Sequence, residues 1–267
     1  MIDLPFFSRP KDKPKAAAPA RPAPAAPPGL RIYAIGDIHG RSDLLDELAA
    51  QIAHDLATSR PQRAVTIFVG DYVDRGPDSA GVIERLSARR FPTPILALRG
   101  NHEEVLLNFL RDPNVMENWR KFGGMETLVS YGVDVSAAVR RAGYDDARDA
   151  FLERLPPAHL KFLQETHACV TYGDYFFCHA GVRPGVPLNM QKAEDLMWIR
   201  SEFMGYEGDF GKVIVHGHTP KPEPEVLPNR INVDTGAFAT ATLTALVLEG
   251  VEQRFLSTAR HAPPDAG

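Results

Sequence analysis

A short apolar run that ends in a Gly-Asp pair is the feature of this sequence that most limits its fold. Residues 65–69 read Val-Thr-Ile-Phe-Val and lead directly into Gly70 and Asp71. Such a run is typical of a buried parallel strand that carries a carboxylate at its C-terminal end. Residues 32–35 and 95–98 are similar runs, and they lead into Gly36-Asp37-Ile38-His39-Gly40 and Arg99-Gly100-Asn101-His102-Glu103. Open α/β sheets bind ligands at the carboxyl ends of their strands, so we expect these polar side chains to meet.

The order of the remaining patterns predicts a two-sheet protein. Apolar residues at helical spacing in 44–56 and 79–89 separate the three strands, which favours a parallel sheet with right-handed crossovers. Residues 103–165 are helical in pattern. The second half predicts a hairpin over 169–178 and three later strands, at 213–215, 231–233 and 243–248. We therefore predict an α/β fold, a double β-sheet sandwich flanked by helices, with a helical insertion.

Composition limits the class of protein. The chain has 267 residues, of which 44% are hydrophobic, and this is enough for one large domain with its own core. A net charge of -4 gives no basic footprint for nucleic acid. The apolar runs are too short for a membrane span or a signal peptide, and two cysteines do not make a disulfide framework. We expect a soluble cytoplasmic protein that contacts neither membrane nor nucleic acid.

The N-terminal segment differs in composition from the rest. Residues 1–29 are rich in proline and alanine with interspersed lysine and arginine, so we predict a disordered basic tail. It serves either as a solvated spacer or as a docking arm for a partner. A catalytic domain is predicted over residues 30–258, followed by a flexible C-terminus over residues 259–267.

Histidines follow two of the later strands. His179 comes after the hairpin, and His216 and His218 end the strand at 213–215. Carboxylate, imidazole and amide donors together suit hard or borderline divalent cations. We expect Asp71 to be a carboxylate shared by two metals. His216 is expected on the same side of its strand as His218, near the metals without binding them.

Five motifs of this sequence resemble, in the same order, those of the calcineurin-like metallophosphoesterases. They are Gly36-Asp37-Ile38-His39-Gly40, Gly70-Asp71-Tyr72-Val73-Asp74-Arg75-Gly76, Gly100-Asn101-His102-Glu103, His179-Ala180-Gly181 and Gly217-His218-Thr219. They are most similar to the phosphoprotein phosphatase group in its bacterial and bacteriophage form, over residues 30 to about 256. The resemblance implies two divalent ions, manganese before iron or zinc. It also implies the metal ligands Asp37, His39, Asp71, Asn101, His179 and His218.

The resemblance implies roles for the neighbouring residues as well. His102 would be the general acid, and Asp74 would hold its tautomer. Arg75 and Arg200 would bind the substrate phosphate, which Asn101 would also contact.

The function expected from this resemblance is a protein serine/threonine phosphatase, with phosphotyrosine as a further candidate side chain. Its substrates would be phosphorylated proteins, hydrolysed by direct attack of a bridging hydroxide. The alternative is a hydrolase of diadenosine tetraphosphate. Asp74 favours the monoesterase, because such hydrolases usually lack this acid. A scaffold without activity is disfavoured, because every expected ligand is present.

Overall fold

Two five-stranded mixed sheets form the centre of the molecule. The structure is a computed structural model that describes residues 23–135 and 143–258. The first sheet has the order β10-β9-β1-β2-β3. Its strands are β1 (Leu30–Ile35), β2 (Arg63–Phe68), β3 (Ile95–Ala97), β9 (Thr244–Glu249) and β10 (Glu252–Ser257). The second sheet has the order β4-β5-β6-β8-β7. Its strands are β4 (Cys169–Tyr172), β5 (Tyr175–Cys178), β6 (Val213–His216), β7 (Glu225–Val226) and β8 (Arg230–Asn232).

Helices follow or join these strands. Those of the first half are α1 (Ser42–Ser59), α2 (Ser79–Ser87), α3 (Asn101–Phe109), α4 (Met116–Trp119) and α5 (Gly124–Ser130). Those of the second half are α6 (Tyr144–Arg154), α7 (Pro157–Gln164), α8 (Ala193–Trp198), α9 (Ser201–Met204) and α10 (Ala237–Thr240). Short 3-10 turns lie at Pro113–Val115, Arg120–Phe122 and Leu188–Met190.

The strands that carry the first three motifs are parallel. β1 pairs with β2, and β2 with β3, in parallel register. Their carboxyl ends therefore lie along one edge of the sheet, as the strand and helix order predicts. β9 closes the other side of β1 in antiparallel register. The predicted hairpin is also present, with β4 and β5 paired antiparallel.

Side-chain alternation assigns each face of a strand to a different core. In β1, Ile32 and Ala34 face the second sheet, whereas Tyr33 and Ile35 face the helices of the first half. In β5, Tyr175 and Phe177 point between the sheets, and Phe176 points to the outer layer with α8 and α9. Both faces are buried, so the molecule has four layers with helices outside the two sheets. Burial of each large apolar side chain contributes about 1.5–3 kcal/mol.

The chain is packed on both sides of the predicted domain start. Residues 23–29 precede β1, and Ala26 is buried with its N–H donating to the Gly250 carbonyl at 2.7 Å. The N–H of Ala25 donates to the Asp174 carboxylate at 3.0 Å. The packed chain thus begins before Leu30, because this segment hydrogen-bonds to the loops of both sheets. The rest of the predicted tail and its docking role, with residues 259–267, lie outside the described residues.

The predicted helical insertion runs from α3 to α7 and packs on the outer face of the first sheet. The sequence patterns did not indicate β7 or β10. β7 has two residues and β10 has half-exposed side chains, so neither carries a strong apolar alternation. Among the described helices, none is long and apolar enough to cross a membrane.

Candidate metal centre

The predicted metal ligands come together between the carboxyl ends of strands from both sheets. Asp37 and His39 follow β1, Asp71 follows β2, and Asn101 begins α3 after β3. The second sheet contributes His179 after β5 and His218 after β6. All of these side chains are buried: Asp37, His39, Asp71, Asn101, His179 and His218.

One carboxylate oxygen, Oδ2 of Asp71, lies between two histidine clusters. It is 3.6 Å from Nε2 of His39 and 3.4 Å from Nε2 of His179. Two groups of side chains have the geometry to hold a metal ion: His39 with Asp71 and His102, and Asp71 with His179 and His218. Asp71 is the member that both groups share. This position is what a carboxylate bridging two ions requires.

Hydrogen bonds at Nδ1 orient the imidazole rings of His39 and His179. Nδ1 of His39 lies 2.8 Å from the Val73 carbonyl, and Nδ1 of His179 lies 3.1 Å from the Val69 carbonyl. A carbonyl oxygen can only accept, so Nδ1 carries a proton in both rings, and in the neutral ring this leaves the Nε2 lone pair free to bind a metal ion.

The free Nε2 atom of His179 faces other electron-pair donors. It lies 3.0 Å from Oδ1 of Asn101 and 3.1 Å from Nδ1 of His218. A buried cluster of oxygen and nitrogen lone pairs is unfavourable unless a cation lies among them. The donor set therefore fits a bound divalent ion.

Asp37 lies next to a second buried carboxylate, that of Asp234. Its carboxylate accepts the His218 N–H at 3.0 Å and hydrogen-bonds to the side chain of Asp234. Burial, and then the charges of Asp234 and Asp71, raises the pKa of Asp37 well above its usual range. Burial also raises the pKa of Asp234 to about 6. Two adjacent buried carboxylates share a proton or attract a cation.

Glu103 is a site residue that the sequence analysis did not assign. Its fully buried carboxylate accepts the N–H groups of Asp71 at 2.8 Å, Tyr72 at 2.7 Å and Gly100 at 2.9 Å. Glu103 thus joins the loop after β2 to the start of α3. Its position directly after His102 was the available signal, but a role between two loops depends on their distance in space.

His102 and Asp74 form the predicted pair. Nδ1 of His102 lies 2.6 Å from Oδ2 of Asp74. Asp74 also accepts from Nε1 of Trp119 and from Oγ1 of Thr127, each at 2.6 Å. The helical insertion therefore reaches the site through Trp119 and Thr127, which hold the Asp74 carboxylate in place.

The same pair sets the protonation of His102. Burial by itself would lower the pKa of His102, but the carboxylates of Asp71 and Asp74 outweigh it and raise the pKa. By contrast, burial lowers the pKa of His39 to about 3 and that of His218 to about 2. His102 is thus the ring suited to carry a proton, whereas His39 and His218 stay neutral and able to bind metal.

Backbone strain is concentrated at the site. Among the described residues, eight that are not glycine have positive φ, and five of these are site residues: His39, Asp71, Asp74, Arg75 and His218. Each such conformation costs about 1–3 kcal/mol and persists only where the surroundings impose it. These left-handed conformations turn the chain sharply after the strands and direct the side chains into the site.

The two predicted phosphate-binding arginines lie at the edge of the centre. Arg75 Nη2 is 3.3 Å from Nε2 of His102, and its guanidinium lies 4.8 Å from the ring centroid of Phe238. Arg200 is exposed, and its charge contributes to the lowered pKa of His218. Arg75 therefore has access to an anion at the metal centre, and the phosphate-binding role of Arg200 stays a prediction.

The expectation for His216 was wrong. Its ring packs edge to face on Phe203, with centroids 4.9 Å apart, in the layer outside the second sheet. His216 ends β6 and shares the outward face with Ile214. The chain turns immediately afterwards, with φ +66° at His218, so alternation no longer relates the two histidines.

A family model for the calcineurin-like phosphoesterases matches residues 30–245, which include all of these ligand positions. This chain belongs to that family. A phosphoesterase with the two-sheet α/β fold and candidate metal-binding groups is therefore the general description of the protein.

Relatives of this phosphoesterase carry two kinds of name. The Oceanobacillus iheyensis protein named bis(5'-nucleosyl)-tetraphosphatase PrpE [asymmetrical] is 29% identical, over 88% of this chain and 94% of its own. A protein of the same name from Anoxybacillus flavithermus is 27% identical, over 79% and 88%. Serine/threonine-protein phosphatase 1 of Salmonella typhimurium is also 27% identical, over 80% and 89%.

A solved structure supports the fold of this family member. It was described under the provisional name of a diadenosine tetraphosphatase, and it superimposes with a TM-score of 0.57 at 18% identity, covering 86% of this chain and 95% of that one. The predicted double-sheet fold is confirmed. The expectation of a protein serine/threonine phosphatase acting on phosphoproteins is wrong, because the tetraphosphatases are the stronger matches.

Proposed function

We propose that this phosphoesterase hydrolyses bis(5'-nucleosyl) tetraphosphates, and cuts them asymmetrically into a nucleoside triphosphate and a nucleoside monophosphate. The observation that carries the proposal is the name shared by the relatives in Oceanobacillus and Anoxybacillus, which match over most of both chains. The bond broken is a phosphoanhydride, and water supplies the oxygen.

We propose two divalent ions as cofactors, held by the residues that cluster around Asp71. Asp37 and His39 would bind one ion; Asn101, His179 and His218 would bind the other. When bound, the ions would lower the pKa of a water between them and neutralise the phosphoryl oxygens. Mixed oxygen and nitrogen donors suit manganese, iron and zinc, and manganese is the one we propose.

The chain's own side chains would then position the polyphosphate and manage one proton. Arg75 and Arg200 would grip phosphoryl oxygens through their forked N–H groups, and the amide of Asn101 would contact the same phosphate. His102, with its raised pKa, would hold a proton on Nε2 toward the departing phosphate oxygen. Asp74 keeps this ring in place through the 2.6 Å contact to Nδ1.

Asp74 does not discriminate against an anhydride substrate, contrary to the argument from its presence in the sequence. Its carboxylate accepts hydrogen bonds from Trp119 and Thr127 as well as contacting His102. An acid that anchors the helical insertion has a structural reason to be present, whatever the leaving group. Asp74 therefore fits hydrolysis of either an ester or an anhydride.

The test is hydrolysis by metal-stripped protein after reconstitution with manganese, iron or zinc. Diadenosine tetraphosphate and a phosphoserine peptide would be supplied separately at equal concentration. We expect manganese to restore cleavage of the dinucleotide to ATP and AMP in a one-to-one ratio. Symmetric release of ADP, or preferred cleavage of the peptide, would contradict the proposal.

The matched control is Leu152→Ala, a change on α6 of a partly exposed side chain outside the site. It should retain full activity with manganese. His39→Ala should lose activity with each of the three metals while keeping its circular dichroism spectrum, since this side chain serves as a ligand.

A further inference from the structure

A cleft of about 630 Å³ is lined by residues of α8 and α9, the helices that cover the outer face of the second sheet. Its lining includes Trp198 at the end of α8, followed by Arg200 and Ser201. Pockets that hold drug-sized molecules have about 300–1,000 Å³. The cleft is therefore large enough for a nucleoside, and the metal ligands are not part of its lining.

One hydrogen bond joins the wall of the cleft to the metal centre. The carbonyl of Leu196, on the helix that carries Trp198, accepts the Ala180 N–H at 2.7 Å, directly after His179. Arg200 follows the same helix and lines the cleft, so a ligand there would have its phosphate close to Arg200.

The charges of the lining favour a neutral group in the cleft. Three cations, Arg183, Lys192 and Arg200, balance three acids, Glu194, Asp195 and Glu202. Arg183 pairs with both Asp195 at 2.5 Å and Glu202 at 2.7 Å, so these three side chains keep one net negative charge, which Lys192 and Arg200 together with Glu194 offset. A polyphosphate would gain little electrostatic binding energy from a lining whose charges balance. An uncharged base and ribose would bind there without an electrostatic penalty. Glu194 and Ser201 offer acceptors for ribose hydroxyls.

Trp198 supplies the surface on which a base would stack. Its side chain is 45% exposed, unlike that of Trp119, which is 1% exposed. The side chain of Arg200 makes no hydrogen bond or ion pair within residues 23–135 and 143–258. An exposed indole beside an unpaired guanidinium is a combination that recognises a base and the phosphate attached to it.

We infer that this cleft binds one nucleoside of the dinucleoside tetraphosphate, with its base stacked on Trp198 and its nearest phosphate on Arg200. The inference rests on the proposed function. It adds a reason for selectivity, since the metal centre by itself contacts phosphate and would not distinguish a nucleotide from other phosphate esters.

Tryptophan fluorescence tests the inference directly. The chain has two tryptophans, Trp119 and Trp198. The full chain, at constant manganese, would be titrated with ATP and separately with tripolyphosphate, which has no base. We expect saturable quenching by ATP that clearly exceeds any change caused by tripolyphosphate. In Trp198→Phe the remaining emission comes from Trp119, and ATP should change it no more than tripolyphosphate does.

Kinetics provide the second measurement. Loss of one base–aromatic stack corresponds to about a 5- to 150-fold change in affinity. Trp198→Ala should raise KM for diadenosine tetraphosphate by this amount, with kcat changing less than about twofold. Trp198→Phe should restore most of the loss. Inhibition by tripolyphosphate should be equal in all variants, and Leu152→Ala should match the unmodified protein.

The outcomes separate this inference from the proposed function. If the protein cleaves the dinucleotide but ATP does not quench Trp198 and KM is unchanged in Trp198→Ala, the cleft assignment is wrong. If ATP quenches Trp198 but the dinucleotide is not cleaved, the nucleoside site stands and the proposed substrate is wrong. Equal quenching by tripolyphosphate would also overturn base stacking.

Discussion

The loop after β2 and the loop after β6 both supply candidate metal ligands, yet they are supported very differently. The first, residues 70–76, hydrogen-bonds to Glu103, Ser79 and Thr127. The second, residues 217–219, is also held through its backbone, with the Gly217 N–H on the His179 carbonyl at 2.8 Å and the His218 N–H on the Asp37 carboxylate at 3.0 Å. Its ligand side chain differs, because Nε2 of His218 is buried and has no hydrogen-bond partner among the described residues. The Asp71 carboxylate has partners within the protein, whereas the position of the His218 ring depends more on an ion.

The difference shows that the ligands of a two-metal site need not all be held in place equally before the ions bind. The shared carboxylate must keep its place when either ion leaves, so it is held by the backbone. The Asp71 carboxylate also accepts the His102 N–H at 3.1 Å, at the positive end of α3. His218 belongs to only one of the two groups of candidate ligands. A less restrained His218 ring therefore leaves the ligands of the other ion in place.

The strongest test of this comparison is metal content after Asp71→Asn and after His218→Ala. Removing one partner of a buried charge pair costs about 3–5 kcal/mol, so Asp71→Asn should weaken both ions by roughly a thousandfold. His218→Ala should lose one ion and keep the other. Mass spectrometry of the dialysed protein would count the ions. Two ions retained in Asp71→Asn would contradict the bridging assignment.

His102→Asn separates proton donation from metal binding at the start of α3, which hydrogen-bonds to Asp71 and Asp74 of the first loop. A general acid contributes about 100- to 10,000-fold, and most where the leaving group is basic. We expect a loss of about 100-fold or more on phenyl phosphate and a smaller loss on diadenosine tetraphosphate, whose leaving phosphate is a weaker base. Metal content should stay at the unmodified level. Equal losses on the two substrates would exclude a proton-donor role.

Glu103→Gln tests whether buried hydrogen bonds hold the loop after β2. An amide cannot accept all three N–H groups, and its own NH2 would face one of them, so the free energy of unfolding should fall by about 3 kcal/mol. Urea denaturation would measure the change. The control is Glu104→Gln, which removes a partly exposed ion pair with Arg99 and should cost less than about 1 kcal/mol. Similar losses in both variants would refute the role of Glu103.

His216→Gln tests, through the pH dependence of stability, the burial of the residue that ends β6 just before the second loop. Burial lowers the pKa of His216 to about 3, so below pH 6.5 the unfolded chain takes up a proton that the folded chain does not. Folding stability contributed by neutral His216 is therefore lost as pH falls from about 6.5 toward 3. Between pH 7 and 5 the metal-free protein should lose about 2 kcal/mol more than the variant. Parallel stability curves would contradict this burial.

Much of the fold and of the metal centre could be predicted because the information is local. Apolar runs such as residues 65–69 specify buried strands, and in a parallel sheet their carboxyl ends must share an edge. The ligand motifs follow those runs directly, so Asp37, His39 and Asp71 are brought together by strand pairing. The choice between ester and anhydride substrates was not predictable from them, since both reactions need the same phosphate chemistry.

What the tertiary structure alone decided involves contacts between segments far apart in the chain. Glu103 binds the loop that contains Asp71, and Trp119 reaches Asp74 across the insertion, although neither spacing has a periodic signal. The direction of His216 depended on where β6 ends and the chain turns. The sequence by itself determined which residue types stand at the strand ends. Distances between loops, which depend on packing of the whole chain, decided how those residues are held and oriented.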